Sequence, residues 1–561
     1  MVRSHGWDYL AALLALTTPV VFYINHHDYD IFAPEAAAFL IIFAAVGLMF
    51  GVIVNKGPVL LRTASLGLLL TLFIDVRFEE AIQYKGVLWG LVILSAIFAG
   101  LVVLAWVFRR HLTQILVAVF GTMIGAMFIF PPEEAFPGAF NKEKKQTLNK
   151  DLPLVIHLLL DEHIGTEGIP LSIVGGDKAK KRVKDFYANN DFKLFGKAYS
   201  QVGATEVSMT SMLNFLSDPT SDLLMPGTGI FRWQATENKA FDQLEAKGFQ
   251  IKVYQTDWVN LCSSERTAVV ACQTFRCCSL SNIEDLEIPI TDKFRVIASV
   301  YLEPLISYRA IRKIYRKLSH MGMPIPVWDW ERRYVSAFAG MNALDLLKAD
   351  LSSAGPGQYY FVHLFLPHFP YVFDSKCKIQ RAENWLARFS QKGLDVDRWG
   401  QKAPLLKPHG AATKNTPATR RLRYERYFDQ LECLYTRLDA IFDDLRQKKL
   451  FDDAVIIAHG DHGSRLPITD PQPSQLKDIT KADKVDTYST LFAVKSPSIS
   501  PDYDLRLLPI NRLYKSMMSA DFNSLKNDET LNATAPEKVF PQGTGFERRM
   551  PDFGEGSDFQ P

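Results

Sequence analysis

The stretch Leu154-Val-Ile-His-Leu-Leu-Leu160, which runs directly into Asp161-Glu162-His163, decides the fold class of this chain. It is a continuous apolar run rather than an alternating one, and such runs are typical of strands buried on both faces of a parallel sheet. The run Ala454–Ala458 has the same character, and Tyr359–Leu366 is similar. We therefore predict that all three are buried strands.

The segment before the Ala454 run predicts how the strands are connected. Leu422–Leu445 places apolar residues at helical spacing and leads straight into that strand. Strands that alternate with helices indicate an α/β domain with a largely parallel sheet.

Polar groups follow two of these strands at their carboxyl ends, where parallel α/β sheets bind ligands. Asp161-Glu162-His163 follows the first, and His459-Gly460-Asp461-His462-Gly463 follows the Ala454 run. Carboxylates and imidazoles that converge from separate strands suit a divalent metal ion. The alternative is that polar residues end strands because loops are polar, which explains one such end more easily than two.

Between these strands, Ala204–Leu213 predicts a turn that enters a helix, with Ser208 and Met212 one turn apart. The first turn of a helix favours anions. A hydroxyl there becomes a nucleophile only when a metal or a base lowers its pKa. The alternative is that Thr205 is merely the N-cap of the helix.

Nearly all the long apolar runs lie in the first quarter of the chain. A helix needs about 20 largely uncharged residues to cross a bilayer. We predict five spans: Trp7–Ile24, Ala36–Val54, Pro58–Ile74, Val87–Phe108 and Leu112–Phe130. The third contains Arg62 near one end, where a long side chain reaches the membrane surface; the alternative for that segment is a buried or re-entrant helix.

The basic residues of the short loops predict the orientation, because Lys and Arg mark the cytoplasmic side. With the N-terminus inside, the cytoplasmic side holds Arg3, Lys56, Arg62, Arg109 and Arg110, and the other side holds only Arg77 and Lys85. We expect a transmembrane region at 1–131, a linker at 132–151, an extracytoplasmic α/β domain at 152–523 and a loose tail at 524–561.

Charge and cysteine content narrow the classes of protein further. The 561 residues include 63 Lys and Arg against 61 Asp and Glu, a net charge of +2 that argues against a nucleic-acid partner. Four of the six cysteines lie between Cys262 and Cys278, without the paired spacing of a zinc site, and predict local disulfides in an oxidising compartment. Cys433 is either a disulfide partner or a plain core residue.

These motifs, in this order, resemble the alkaline phosphatase/sulfatase superfamily, in its branch of membrane-anchored phosphoethanolamine and phosphoglycerol transferases. Asp161-Glu162 resembles the first metal acid, and Asp461-His462-Gly463 resembles the second metal acid with its histidine. Thr205-Glu-Val-Ser208 resembles the nucleophile helix, and His363-Leu-Phe-Leu-Pro-His368-Phe-Pro resembles the segment whose second histidine contacts the substrate phosphate.

The resemblance implies a fold and a function. The fold is an N-terminal five-helix transmembrane region followed by an extracytoplasmic sulfatase-like α/β domain, in a bacterial-type inner (plasma) membrane. Thr205 would be the nucleophile; the metal ligands would be Asp161, Thr205, Asp461 and His462, with Glu162 a further candidate; His368, Ser208 and His363 would bind substrate. The metal would be zinc or manganese, and calcium also suits such ligands.

The implied reaction moves a phospho-headgroup from a phospholipid donor to an envelope glycan or lipid through a phospho-threonine intermediate. Two departures bear on it: the formylglycine pattern of sulfatases is absent around Thr205, and no histidine follows His462, as phosphoethanolamine transferases usually require. One alternative is a membrane-bound phosphodiesterase or sulfatase-like hydrolase with the same site. Another is a non-enzymatic envelope-assembly protein, which the intact set of site residues disfavours.

Overall fold

The structure, a computed structural model, describes residues 6–77, 87–129, 140–141, 149–262, 269–321, 323, 335–385, 415, 417–471, 478–519, 521–522, 538–540 and 557–558. Most of the expected linker and tail therefore lies outside the described residues. The chain divides into two compact units. One consists of Met1–Ala135, Cys278–Val335 and Arg381–Gly393, and the other of Phe136–Cys277, Ser336–Gln380 and Leu394–Pro561. The segment 278–335, expected within the α/β domain, thus groups with the apolar helices instead.

The first unit begins with five apolar helices: α1 (Gly6–His26), α2 (Pro34–Lys56), α3 (Val59–Arg77), α4 (Val87–Val107) and α5 (Leu112–Ile129). The first four are long and apolar enough to cross a membrane, whereas α5 is shorter. The structure therefore supports four of the five predicted spans by length and composition. The first unit also contains α9 (Ile290–Leu302), α10 (Ile306–His320) and α12 (Ala382–Trp385), and a 3₁₀ turn at Leu280–Ile283.

Two contacts show how the apolar helices pack. A Cβ atom on Gly47 would lie 2.9 Å from the Cα atom of Leu13, so the glycine allows α1 and α2 to approach closely. Arg62 is buried and its Nη2 atom lies 3.0 Å from Oδ1 of Asp8. The arginine that we expected to extend to the membrane surface is instead paired with a carboxylate of α1, since a buried charge needs a partner.

The second unit contains a nine-stranded sheet in the order β1-β8-β6-β9-β2-β10-β11-β3-β12. The five central strands from β8 to β10 are parallel, and β1 and β11 join them antiparallel. This confirms the largely parallel α/β sheet. Its strands are β1 (Phe140–Asn141), β2 (Val155–Leu160), β3 (Lys193–Phe195), β6 (Gln250–Thr256), β8 (Val269–Phe275), β9 (Gln358–Leu364), β10 (Val455–His459), β11 (Phe492–Lys495) and β12 (Asp502–Asp504).

Smaller elements and helices complete this unit. A three-stranded sheet is formed by β4 (Leu224–Pro226), β5 (Trp233–Ala235) and β7 (Val259–Asn260), and a two-stranded one by β13 (Lys538–Val539) and β14 (Ser557–Asp558). The helices are α6 (Gly176–Asn189), α7 (Thr205–Leu213), α8 (Lys239–Lys247), α11 (Ser336–Asp350), α13 (Pro417–Gln447), α14 (Lys481–Tyr488) and α15 (Ile510–Ser519). Short 3₁₀ turns lie at Thr166–Gly168 and Leu351–Ser353.

Buried side chains of α7, α8 and α15 form one apolar cluster with alternate residues of the central strands, among them Val155 and Leu159 of β2. This cluster fixes α7 against the sheet. Two disulfides are present. Cys262–Cys272 lies in the predicted local group, and Cys377–Cys433 joins the loop after β9 to α13, so the core-residue alternative for Cys433 is wrong.

Candidate active site

The parallel register of three strands brings the predicted site residues to one edge of the sheet. Leu159 of β2 pairs with His459 of β10 on one side and with His363 of β9 on the other. Asp161 and Asp461 each follow two residues beyond that paired position, so the two carboxylates emerge at the same level. Strand pairing alone therefore explains why residues so far apart in sequence meet.

Asp161, Asp461 and His462 form a buried cluster whose ligand atoms all lie within 4.8 Å of one another. His462 Nε2 is 3.0 Å from Asp461 Oδ2 and 3.8 Å from Asp161 Oδ1. Both of these carboxylate oxygens are buried, and neither has a hydrogen-bond partner among the described residues. Unpartnered buried oxygens of two carboxylates, turned toward one imidazole nitrogen, fit a bound cation.

Hydrogen bonds around the cluster fix the direction of each ligand atom. Nδ1 of His462 lies 2.9 Å from the Gly463 carbonyl oxygen, so it carries the proton and leaves the Nε2 lone pair free for a metal. Oδ1 of Asp461 accepts hydrogen bonds from the backbone N–H groups of Glu162 and His462, which leaves Oδ2 for the cluster. Burial raises the pKa of the Asp461 carboxyl, but when Nε2 of His462 is also protonated the positive ring outweighs burial and holds that pKa well below its usual range.

Thr205 is the first residue of α7 and its hydroxyl points into this cluster. The N-cap is Ala204, and no side chain caps the helix. Instead, Thr205 Oγ1 lies 3.1 Å from His462 Nε2. The alternative that Thr205 is only the N-cap is therefore wrong, and its hydroxyl is placed as a nucleophile or ligand would be.

Ser208, predicted to bind substrate, is one turn further along α7. Its hydroxyl donates to the Asp461 carbonyl oxygen at 2.5 Å and lies 2.9 Å from the hydroxyl of Ser200. Both hydroxyls are buried. The bond to Asp461 joins α7 to the loop after β10.

Glu162 lies beside the cluster but is turned toward the loop after β9. Its backbone has φ of 63°, an uncommon conformation for a residue other than glycine. Oε2 accepts from the Phe369 backbone N–H at 3.2 Å, and Oε1 is 3.6 Å from His368 Nε2. The carboxylate thus contacts the His368 loop and is not part of the three-residue cluster.

His368, the predicted phosphate contact, is held at the rim by two sets of contacts. Its Nδ1 donates to the Phe369 carbonyl oxygen, which leaves Nε2 directed toward Glu162. Gln430 of α13 donates to the carbonyl oxygens of Pro367 and His368 and accepts from the Val372 N–H. The sequence did not reveal this role of Gln430, because a single polar residue on an apolar helical face gives no specific signal.

His363 lies on β9, deeper than His368. Its Nε2 is 3.6 Å from Asp161 Oδ2 and has no hydrogen-bond partner in the part of the chain that the structure describes. Its Nδ1 is 3.2 Å from the Thr256 hydroxyl. Asp161 therefore has one oxygen facing His462 and the other facing His363. His163, by contrast, turns away from the cluster toward Tyr435, and burial lowers its pKa to about 4.

Arg465 is a charged residue near the site that the sequence did not identify. It has φ of 53°, and its Nε and Nη2 both donate to the carbonyl oxygen of Gly203, just before α7. Burial would lower the pKa of its guanidinium, but Glu162, Asp161 and Asp461 raise it above its usual value. The signal for it was one arginine shortly after Asp461-His462-Gly463, which is too common a residue to stand out.

A chain of hydrogen bonds runs from the site loop into the core of the sheet. His459 Nδ1 lies 2.8 Å from the Gly460 carbonyl oxygen, His459 Nε2 is 2.7 Å from His157 Nε2, and His157 Nδ1 is 2.5 Å from the Tyr359 hydroxyl. The Tyr359 and Tyr514 hydroxyls are 3.1 Å apart. Nδ1 of His459 must donate to a carbonyl oxygen, so with both imidazoles neutral Nε2 of His459 accepts from Nε2–H of His157. Nδ1 of His157 then accepts from the Tyr359 hydroxyl. Burial lowers the pKa of His157 well below its ordinary value and that of His459 to about 4.

Comparison with known proteins gives structural similarity only. No family model matches the sequence, and no curated protein matches it. The phosphonate monoester hydrolase of Agrobacterium radiobacter aligns with 70% of this chain and 82% of its own, at 9% identity and a TM-score of 0.39. The zinc complex of the periplasmic domain of EcEptC from Escherichia coli aligns with 72% and 92%, at 9% identity and a TM-score of 0.35.

A third solved structure, a protein described as a putative sulfatase from Bacteroides fragilis, aligns with 70% of this chain and 77% of its own. Its sequence is 13% identical and its TM-score is 0.36. At such low TM-scores and identities we base the function on the geometry of the site itself.

Proposed function

We propose that this chain is a membrane-anchored, metal-dependent phosphotransferase of the alkaline phosphatase/sulfatase type. It moves a phospho-headgroup from a phospholipid to a glycan or lipid of the cell envelope through a phospho-threonine. The observation that carries the proposal is the position of Thr205 Oγ1, 3.1 Å from the Nε2 atom of His462 and beside two unpartnered buried carboxylate oxygens.

The divalent metal would be held by Asp161, Asp461, His462 and Thr205. A cation fits there because these residues leave donor atoms free. Such a metal, when bound, supplies the positive charge that lowers the pKa of a nearby hydroxyl. Zinc or manganese suits a site of carboxylates and one imidazole.

In the first step the Thr205 hydroxyl releases its proton to water, and its Oγ1 attacks the phosphorus of the donor phosphodiester. The Oγ–P bond forms as the bond from phosphorus to the glycerol oxygen breaks, and diacylglycerol leaves after that oxygen gains a proton. His368 Nε2 and Glu162 Oε1, 3.6 Å apart at the rim, are the pair that would hand over this proton.

In the second step the His368–Glu162 pair takes the proton of an acceptor hydroxyl, whose oxygen attacks the same phosphorus. The Oγ–P bond breaks, the phospho-headgroup passes to the acceptor, and Thr205 Oγ1 takes up a proton from water. The first-turn N–H groups of α7 and the guanidinium of Arg465 supply positive potential for the phosphate oxygens in both steps.

A hydrolase is the second candidate, because water can replace the acceptor hydroxyl at the same site. The Asp161-Glu162 doublet and the absence of a histidine after His462 favour it over a phosphoethanolamine transferase specifically. The two functions differ only in the second step.

The test is the intact mass of the purified full chain after incubation with defined phospholipids and no acceptor. The parent should gain the mass of one phospho-headgroup, and peptide mapping should place it on Thr205. Thr205→Ala should gain none and lose turnover by several orders of magnitude. A Thr205→Ala chain that still carries the adduct would contradict the proposal.

Thr210→Ala is the matched control, because its hydroxyl lies in the same buried helix but donates to the Glu206 carbonyl oxygen rather than entering the cluster. It should form the adduct like the parent. Adding a glycan or lipid acceptor should then discharge the adduct faster than water does. Equal rates with and without acceptors would favour the hydrolase.

A further inference from the structure

Helix α10 of the first unit is strongly basic. Its sequence, Ile306-Ser-Tyr-Arg-Ala-Ile-Arg-Lys-Ile-Tyr-Arg-Lys-Leu-Ser-His320, contains five Lys or Arg residues and no Asp or Glu. A helix of this composition attracts anionic surfaces, provided that it lies close to one.

The start of α10 is fixed at one end of the apolar helices. The two oxygens of the buried Asp75, near the end of α3, accept from the backbone N–H groups of Ile306 and Ser307. Ile306 also packs on Leu94 of α4, and a Cβ atom on Gly90 would clash with its side chain. Helix α10 therefore begins where α3 ends and α4 starts.

The preceding helix, α9, lies at the same end of the bundle. The hydroxyl of Tyr23, near the end of α1, donates to the Val300 carbonyl oxygen, and the Tyr301 ring packs against Phe39 near the start of α2. This end is opposite to the one that holds Lys56 and the Asp8–Arg62 pair. By the bias of basic loop residues it is the extracytoplasmic end.

Helix α10 exposes several apolar side chains along one side. Ile311 is 56% exposed, Ile314 is 61% exposed and the adjoining Met321 is 68% exposed, whereas Arg312 is buried. With the half-buried Leu318, these apolar residues recur at i, i+3, i+7 and i+10 and form one stripe. Lys313, beside the stripe, is exposed.

We propose that α10 is an interfacial helix, with this apolar stripe inserted among the acyl chains and the exposed Lys313 on anionic phospholipid headgroups of the outer leaflet. The occupant is the lipid surface of the same membrane that the spans enter, because α10 starts at the end of those spans and its charge is complementary to anionic lipid. The proposal rests on the membrane anchoring proposed above but not on the phosphotransfer chemistry.

The test is photocrosslinking of the full chain with benzoylphenylalanine at position 314. The chain is reconstituted in vesicles of phosphatidylcholine alone, or of phosphatidylcholine and phosphatidylglycerol in equal amounts. Lipid adducts should form at position 314 and be several-fold more abundant with phosphatidylglycerol. The same probe at Lys348, an exposed position of α11 in the other unit, should form few.

The electrostatic part is tested by Lys313→Glu, which should lower the ratio of adducts in the two vesicles, while Lys348→Glu should leave it unchanged. Survival of the Cys377–Cys433 disulfide verifies folding in each variant. Adducts to protein instead of lipid, or equal lipid adducts at 314 and 348, would overturn the proposal. Equal amounts of adduct in the two vesicle types, with no change on Lys313→Glu, would also overturn it. A chain that lacks phosphotransferase activity but crosslinks as expected would contradict only the proposed chemistry.

Discussion

His462 is the residue on which the site depends, because its two ring nitrogens have separate tasks. Nδ1 donates to the Gly463 carbonyl oxygen, which turns the Nε2 lone pair toward Thr205 and the two aspartates. Neither an asparagine nor a glutamine reproduces that geometry, since the ring sets both the distance and the direction of the lone pair.

Loss of either proposed ligand that follows β10, Asp461 or His462, should remove the metal without unfolding the chain. We expect Asp461→Asn and His462→Ala to lower the metal content of the purified protein to a small fraction of the parent value, and to abolish turnover. Elemental analysis by mass spectrometry measures this. The control is Asp439→Asn, on an exposed part of α13, which should retain full metal. Metal content equal to the parent in the first two variants would show that the ligand set is wrong.

Arg465 should act in two ways: its charge lies near the acidic cluster, and its hydrogen bonds hold the Gly203 carbonyl oxygen. Two substitutions distinguish these effects. Arg465→Lys keeps the positive charge near the acidic cluster but loses the paired donation to the Gly203 carbonyl oxygen, and Arg465→Gln loses the charge as well. We expect Arg465→Gln to bind metal more tightly, because the cluster loses a competing cation, yet to react about ten- to a thousand-fold more slowly. Steady-state kinetics and metal competition assays measure both quantities. Equal kinetics for the two variants would assign Arg465 a positional role alone.

At the scale of elements, strands β9, β2 and β10 carry both the site and the chain of buried imidazoles and phenols behind it. This hydrogen-bond chain requires neutral imidazoles, so acid should lower the free energy of unfolding of the α/β unit. His157 is held neutral by burial, whereas in the unfolded chain its pKa returns to about 6.5. As the pH falls through that value the unfolded state takes up a proton that the folded state does not, and stability decreases.

We therefore expect the free energy of unfolding of the parent to decrease below about pH 6.5, with His157 contributing up to about 1.4 kcal/mol per pH unit. His157→Gln should be less stable at neutral pH but should show a shallower decrease with acid. Urea unfolding followed by near-ultraviolet circular dichroism measures the slope. Exposed His111, changed to Gln, is the control. Identical slopes for the parent and His157→Gln would contradict the account.

The same three strands show what can be predicted from sequence. Their continuous apolar runs identified them, and because parallel strands end at one edge, the pattern of residues was enough to place Asp161, Asp461 and His462 together. Gln430 and Arg465 could not be placed in this way, since their roles depend on which loop happens to lie beside them. The grouping of 278–335 with the apolar helices was also not predicted. An amphipathic sequence such as that of α10 suits a helix on the surface of either unit, and only the tertiary contacts show which unit it packs against.

At the scale of the whole chain, the proposed orientation can be tested without knowing the reaction. An alkaline phosphatase reporter fused after Phe130 should be active outside the cytoplasm, and one fused near Lys56 should be inactive. The reason is the excess of Lys and Arg in the loops assigned to the cytoplasm. A green fluorescent reporter at the same two positions should give the inverse pattern. Fluorescence after Phe130 would reverse the orientation.

The Cys377–Cys433 disulfide has a consequence for when the protein becomes active. It fastens the loop that carries His368 to α13, the helix whose Gln430 holds the same loop, and it needs an oxidising environment to form. In the proposed topology a newly made chain is in reducing surroundings until its α/β unit has been exported. The loop with His368 would then not yet be covalently joined to α13, and on the proposed function the enzyme would be incomplete while phosphodiesters of the cytoplasm are within reach. Export would be the step that activates it, because only then does the disulfide form.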